Sequence, residues 1–116
     1  MRHEDLIAIT EKEVSRLGVS VASKGFYYLV FAITLSVQIG MRKACLNKEI
    51  YDRIAELNEV STESVEKCIR NSVTRSWERS REPYNEICGN DDKKPTNAEV
   101  ISFISSRILL ERSHGF

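Results

Sequence analysis

Apolar residues recur three or four positions apart along almost the whole chain, which is the spacing of one face of an α-helix. A first stripe runs from Leu6 to Leu17 and is followed by Gly18, a residue type that commonly ends helices. No convincing run of strict alternation between apolar and polar residues, the pattern of a half-buried strand, occurs. The spacing therefore predicts an all-α protein.

Five or six helices in a compact domain follow from this pattern. The predicted elements are helices over about 6–17, from 24 to an exit near 40, over 48–57 and over 62–79, a short helical turn near 84–88, and a last helix that opens at 96. That last helix begins with a capping box, in which the Thr96 hydroxyl and the Glu99 carboxylate accept from free backbone N–H groups. The buried face of the third helix is expected to carry Ile50, Ile54 and Leu57.

The second predicted helix lies in a stretch of 17 residues, 25–41, that contains no charged residue. A membrane-spanning helix needs about 20 apolar residues. Thr34, Ser36 and Gln38 dilute the apolar run further. We therefore expect a buried central helix and no membrane association.

Length and composition are those of one globular domain covering residues 1–116. The three cysteines form no C-x-x-C pair, so no local zinc or redox motif can be built from them, and reduced thiols in a cytoplasmic protein are expected. The two histidines, His3 and His114, lie near the chain termini. No interior histidine, glycine-rich phosphate loop or pair of acidic residues in an apolar context supports catalysis. We expect no enzyme activity, no cofactor and no metal.

Residues 48–79 have the spacing of a helix-turn-helix, in which a recognition helix of about 62–79 follows a short turn. Ala55 takes the position where the two helices must approach closely, and Ser61 or Thr62 can cap the second helix. The usual turn glycine is absent, so Asn58 or Glu59 must adopt the bend. Four residues occupy positions that such a motif buries: Ile54, Val60, Val65 and Cys68.

Charge is distributed unevenly along a chain whose 17 basic and 17 acidic residues cancel. Residues 61–81 hold five basic and three acidic residues, whereas 82–116 hold four basic and six acidic ones. Overall neutrality argues against a protein that coats nucleic acid through bulk charge, but it leaves room for a local basic site. Near the start of the recognition helix stand Lys67, Arg70 and Asn71, residue types that read base edges, and Glu66 can hold Arg70 or accept from cytosine.

Four segments together resemble the C-terminal effector domain of stage zero sporulation protein A, a sporulation response regulator. They are KGFYYL at 24–29, YDRIA at 51–55, VEKCIR at 65–70 and KPTNAE at 94–99. The resemblance spans roughly residues 6–112. It implies a six-helix fold that binds a short DNA box, often as tandem copies, and that touches the RNA polymerase sigma factor.

The resemblance implies roles for individual residues. Glu66, Lys67 and Arg70 match the family's base-reading positions, and Asn71 stands where the family usually has His. Lys67 stands where the family has an Arg, so the planar guanidinium that can donate two parallel hydrogen bonds to guanine is absent. Ser64 also replaces an Arg, which removes one phosphate contact, and Val30-Phe31 replaces a charged pair. The stretch between Trp77 and Pro95 is several residues shorter than in the family, and no receiver domain precedes the effector-like region in this sequence.

Two hypotheses about function follow, one a DNA-binding protein and the other a protein-interaction module. The first is a sequence-specific DNA-binding transcription regulator without a built-in phosphorylation switch, associated with the nucleoid when bound to DNA. Its base contacts are Glu66, Lys67, Arg70 and Asn71, and its phosphate contacts are Ser61, Thr62, Ser64, Thr74 and Arg75. The second is a protein-interaction module with weakened DNA binding that pairs with itself, with a full-length regulator or with sigma factor, through an exposed Val30 and Phe31.

Overall fold

A computed structural model describes residues 2–39, 47–89 and 93–114 of the chain. Within these ranges the elements are α1 (His3–Arg16), α2 (Lys24–Ile39), α3 (Asn47–Asn58), α4 (Thr62–Arg79), a 3-10 turn (Glu82–Tyr84), α5 (Asn85–Cys88) and α6 (Asn97–His114). No strand occurs among the described residues. The all-α prediction is therefore confirmed, with boundaries close to those predicted. The predicted exit of the second helix at Gly40 lies outside the described residues, as does Cys45.

Helix α2 forms the centre of the molecule, since α1, α3, α4 and α6 all pack against it. Leu29, Ala32 and Ile33 are completely buried in these contacts. Removing such side chains from water is the main favourable contribution to folding. The expected central helix is thus confirmed. In the part of the chain that the structure describes, no helix combines the length and apolarity needed to cross a bilayer.

The end of α1 and the starts of α2 and α6 are formed by the residues that the sequence predicted. Gly18, at φ 86°, adopts a left-handed conformation just after α1. The Ser23 hydroxyl accepts a hydrogen bond from Phe26 N–H at 3.1 Å, which caps the start of α2. At α6, Thr96 N–H donates to Glu99 Oε1 at 2.9 Å and Glu99 N–H donates to Thr96 Oγ1 at 3.1 Å. Hydrogen bonds to the carboxylate, first from the Thr96 N–H and then from the Thr96 side chain, lower the pKa of the Glu99 carboxyl because they favour its charged form.

Three predictions about burial are wrong. Leu57 and Val60 are 63% and 38% exposed, although both were expected in the core. α3 packs mainly on α2 and α4 and buries Ile54 and Ala55, so its last turn projects past the core. Val30 was expected to be exposed but is only 7% exposed, because it lies on the inner side of the central helix.

Candidate nucleic-acid interface

The connection between α3 and α4 is a tight turn of three residues, 59–61. Val60 N–H donates to the Ala55 carbonyl at 3.0 Å, and Glu59 N–H donates to the Glu56 carbonyl at 3.4 Å. These two bonds form the Schellman pattern that ends a helix. Glu59 adopts the left-handed conformation, at φ 55°, so it and not Asn58 makes the bend. Asn58 instead donates from Nδ2 to the Ile54 carbonyl. The arrangement fits a helix-turn-helix.

Replacing Glu59 by glycine is expected to stabilise the domain by about 1 kcal/mol, because a side chain in the left-handed region costs roughly that much. The matched change Glu56→Gly, inside α3, is expected to destabilise by about 1 kcal/mol. Urea denaturation of both variants measures the two effects. Equal losses of stability in both variants would contradict a strained turn at Glu59.

The start of α4 is held by three hydroxyl groups. Ser61 is the N-cap, since its Oγ accepts from Ser64 N–H at 3.1 Å, and it also donates to Ser64 Oγ at 2.9 Å. Thr62 Oγ1 donates to Asp52 Oδ1 at 2.6 Å, which ties the start of α4 to α3. Ser61 and Ser64 are exposed and Thr62 is half-buried. Three of the five residues predicted to contact phosphates therefore also fix the start of α4.

The predicted base-reading residues share the exposed face of α4. Lys67, Arg70 and Asn71 are exposed, and Glu66 is half-buried. Arg70 Nη1 donates to Glu66 Oε1 at 3.0 Å, and the side chains of this ion pair are 49% and 36% exposed. An exposed pair of this kind adds little stability. Its effect is to orient the guanidinium, as the spacing of the two residues predicted.

One edge of this face is bordered by the start of α6. Lys94 Nζ donates to Thr74 Oγ1 at 2.7 Å, and Asn97 Nδ2 donates to the Glu66 carbonyl at 3.1 Å. Burial raises the pKa of the Tyr51 hydroxyl, and a hydrogen bond with Asn97 partly offsets this. The KPTN run at 94–97 thus braces α4 from α6 and places Lys94 beside it. Lys94 was not assigned a role from the sequence, although it belongs to one of the four segments that resemble the family.

The opposite edge is bordered by the loop between α1 and α2. A Cβ atom at Gly25 would overlap Ser72 Oγ and the Cys68 carbonyl oxygen, so α2 and α4 approach there as closely as a glycine permits. Further along α4, Ser76 Oγ donates to the Leu17 carbonyl and accepts from the Tyr84 hydroxyl. Sequence reasoning missed these contacts, because the spacing of a serine along a helix does not show which distant backbone or hydroxyl group it meets.

Three basic residues of α4 are available to an external anion. Lys67, Arg75 and Arg79 are exposed and form no ion pair with a carboxylate in the described ranges. Arg75 Nε donates to the Asn71 carbonyl, at 3.4 Å. A line of unneutralised cations along one exposed helix face suits a polyanion. Among residues 2–39, 47–89 and 93–114, no group of three or more His, Cys, Asp or Glu residues is placed to hold a metal ion.

A second surface feature is an apolar groove of about 250 Å³ that crosses α2 between α1 and α3. Its exposed apolar side chains are Tyr27, Phe31 and Leu57, at 57%, 42% and 63% exposure. Val30 lines the buried side of the groove. Of the two residues predicted to form an exposed contact surface, Val30 and Phe31, only Phe31 is therefore exposed. Within the described structure the buried Thr34 hydroxyl, which also lines the groove, has no hydrogen-bond partner.

Comparison with known protein families identifies the family of the chain. The family model described as "Sporulation initiation factor Spo0A C terminal" matches residues 10–108, which is most of the chain and includes α2 to α5 entire. Domains of that family are DNA-binding effectors of transcription regulators in sporulation. The protein therefore belongs to the family of C-terminal effector domains of sporulation initiation factor Spo0A and is a DNA-binding regulatory domain.

Proposed function

We propose that this protein regulates transcription by sequence-specific binding of double-stranded DNA, with α4 as the recognition helix in the major groove. The observation that carries the proposal is the exposed face of α4, which presents Lys67, Arg70 and Asn71. An ion pair with Glu66 holds the Arg70 guanidinium in place. Arginine and lysine pair with guanine, and asparagine pairs with adenine, at the major-groove edge. The cytoplasm, where the chromosome lies, is the expected compartment.

Phosphate contacts are proposed for the residues around that face. Ser61, Thr62 and Ser64 lie at the helix N-terminus, where backbone N–H groups and the helix dipole favour an anion. Thr74 and Arg75 lie about three turns further along α4. Such contacts fix the register of the helix in the groove, and the base-edge contacts then supply sequence preference.

Selection of bound sequences from a random DNA library tests this proposal. We expect one short enriched box, and the spacing of repeated boxes gives the number of copies that bind. Affinity for the box is expected to fall steeply between 50 and 200 mM salt, roughly in proportion to the number of phosphates neutralised. A library that returns no enriched sequence would overturn the proposal.

A second candidate function is a protein-interaction module, and the apolar groove across α2 favours it. Exposed apolar patches that include Tyr27, Phe31 and Leu57 are typical of protein contacts. Glu11 of α1 and Arg53 of α3 stand on opposite sides of the groove, so a second copy related by two-fold symmetry can pair each with the other. A full-length regulator or sigma factor is the other proposed partner.

Light scattering on a size-exclusion column tests this second function. If the groove joins two copies, the double change Phe31→Glu and Leu57→Glu is expected to convert a dimer into a monomer, because it places carboxylates in an apolar contact. The change Val21→Glu removes an exposed apolar residue outside the groove and serves as the control. A wild-type protein that is monomeric at all concentrations would contradict the two-fold contact.

A further inference from the structure

We propose that a surface pocket between the α1–α2 loop and the C-terminal half of α4 binds a phosphate group of the DNA backbone. The pocket has a volume of about 300 Å³ and is lined by Ser20, Ala22, Ser23, Ser72, Arg75 and Arg79. Two guanidinium groups therefore face a concave surface that also carries three hydroxyl groups. The proposal rests on the DNA-binding function and extends its contact surface to the α1–α2 loop, which has no base-reading role.

Both arginines retain donors for an anion. Arg79 uses Nη1 to donate to the Gly18 carbonyl at 3.1 Å, which fixes the guanidinium against the loop. A guanidinium has five N–H donors, so most of them remain for a ligand. Neither Arg75 nor Arg79 has a carboxylate partner among the described residues. A guanidinium group without a carboxylate partner can donate two parallel hydrogen bonds to phosphate oxygens.

The loop is itself held in a fixed conformation. Ser23 Oγ donates to the Ser20 carbonyl at 2.8 Å, and Ser72 Oγ donates to Ser23 Oγ at 3.3 Å. Ser20 Oγ accepts from Ala22 N–H at 3.3 Å, which leaves its own hydroxyl proton for a ligand. Because the close approach of Gly25 to α4 anchors the loop, the pocket is organised before DNA binds. A preorganised site loses less entropy on binding.

The position of the pocket fits a phosphate and not a base. Arg75 and Arg79 lie one and two turns beyond Asn71, on the edge of α4 that meets the α1–α2 loop. Lys94 lies at the other edge, next to Thr74. A helix in the major groove, which is about 12 Å wide, lies between two phosphate backbones. The pocket and Lys94 would therefore flank the recognition helix and face one backbone each.

The test introduces a negative charge into the pocket while leaving the base-reading face intact. Ala22→Glu places a carboxylate in the lining, whereas Val21→Glu places the same charge on the neighbouring, 59% exposed residue outside it. Thermal unfolding of both variants first establishes that they fold. We expect Ala22→Glu to lower affinity about tenfold for both the selected box and an unrelated duplex, and to reduce the salt slope by about one, because one phosphate contact is lost. Val21→Glu is expected to change affinity less than twofold.

A second variant series locates the contact on the DNA. Arg79→Gln is expected to lower affinity with an unchanged sequence preference, and Arg79→Lys to restore part of it. Replacing single phosphates by neutral methylphosphonates is expected to weaken the wild type at one or two positions beside the box. The same replacements are expected to have no further effect on Arg79→Gln.

The outcomes separate this proposal from the proposed function. If Ala22→Glu and Val21→Glu bind DNA equally well, the pocket assignment is overturned while sequence-specific binding stands. If the wild type binds every duplex equally and Ala22→Glu weakens all of them, the pocket stands and sequence-specific binding is overturned. A wild type that binds no DNA overturns both.

Discussion

Gly25→Ala is expected to destabilise the domain by about 2–3 kcal/mol, because the added methyl group has no space between α2 and α4. A Cβ at this position would lie 2.7 Å from Ser72 Cβ and would overlap Ser72 Oγ and the Cys68 carbonyl oxygen. Since the carbonyl belongs to the backbone of α4, the two helices must separate. The expected decrease in Tm is roughly 10 °C for a domain of this size.

Two further variants separate overpacking from other effects of removing a glycine. Gly89→Ala is the control, since Gly89 has φ 62° and open space around it, and it is expected to cost about 1 kcal/mol from backbone strain alone. The double change Gly25→Ala and Ser72→Ala removes the clash with the serine hydroxyl but not that with the carbonyl. It should recover part of the stability lost in Gly25→Ala. A free energy of unfolding for Gly25→Ala equal to that of the wild type would show that α2 and α4 are not in this close contact.

Arg70→Ala is expected to cost about 1–3 kcal/mol of discrimination at one base pair of the bound site. The physical reason is the loss of a guanidinium that Glu66 holds in place at 2.9 Å before DNA arrives. Glu66→Gln is expected to produce a smaller loss at the same base pair, because the guanidinium remains but is no longer oriented by a charge. Binding of each variant to a randomised DNA pool, followed by sequencing, measures the preference at every position.

Arg75→Ala is the matched comparison for Arg70→Ala. It removes the same side chain from the same exposed helix, one turn beyond Asn71. Because Arg75 is proposed to contact phosphate, its loss is expected to weaken binding to all sequences alike and to leave the preferred box unchanged. An unchanged preference in Arg70→Ala as well would contradict its proposed contact with a base.

The zero net charge of the chain affects how strongly it is expected to bind unrelated DNA. With 17 basic and 17 acidic residues, the protein has no net charge to attract DNA over long distances. Among the described residues, α4 nevertheless carries three exposed cations that form no ion pair, Lys67, Arg75 and Arg79. Binding to unrelated DNA is therefore expected to be weak at physiological salt, and affinity must come from a small, well-formed contact surface.

Local patterns in the sequence were sufficient to predict the helices and their ends. The periodic apolar residues, the cap at Ser61 and the box formed by Thr96 and Glu99 depend on neighbours within four positions in the chain. The pairing of Glu66 with Arg70 is of the same kind, since residues four apart meet on one helix face. The family model supports the DNA-binding class that the segment resemblances indicated. Leu57, Val60 and Val30 were assigned wrongly, because burial depends on which elements cover a residue and not on its spacing alone.

By itself the sequence determined the all-α class, the approximate extent of most helices and the composition of the proposed recognition face, since short-range periodicity and capping set all three. Only the tertiary structure decided what borders that face. Lys94 meets Thr74 across 20 positions of the chain, and Arg79 meets the Gly18 carbonyl across 61. Such contacts depend on how α2 and α6 pack against α4, which hydrophobic burial drives without leaving a local pattern in the chain. The pocket beside Arg79 therefore became visible only once the helices were assembled.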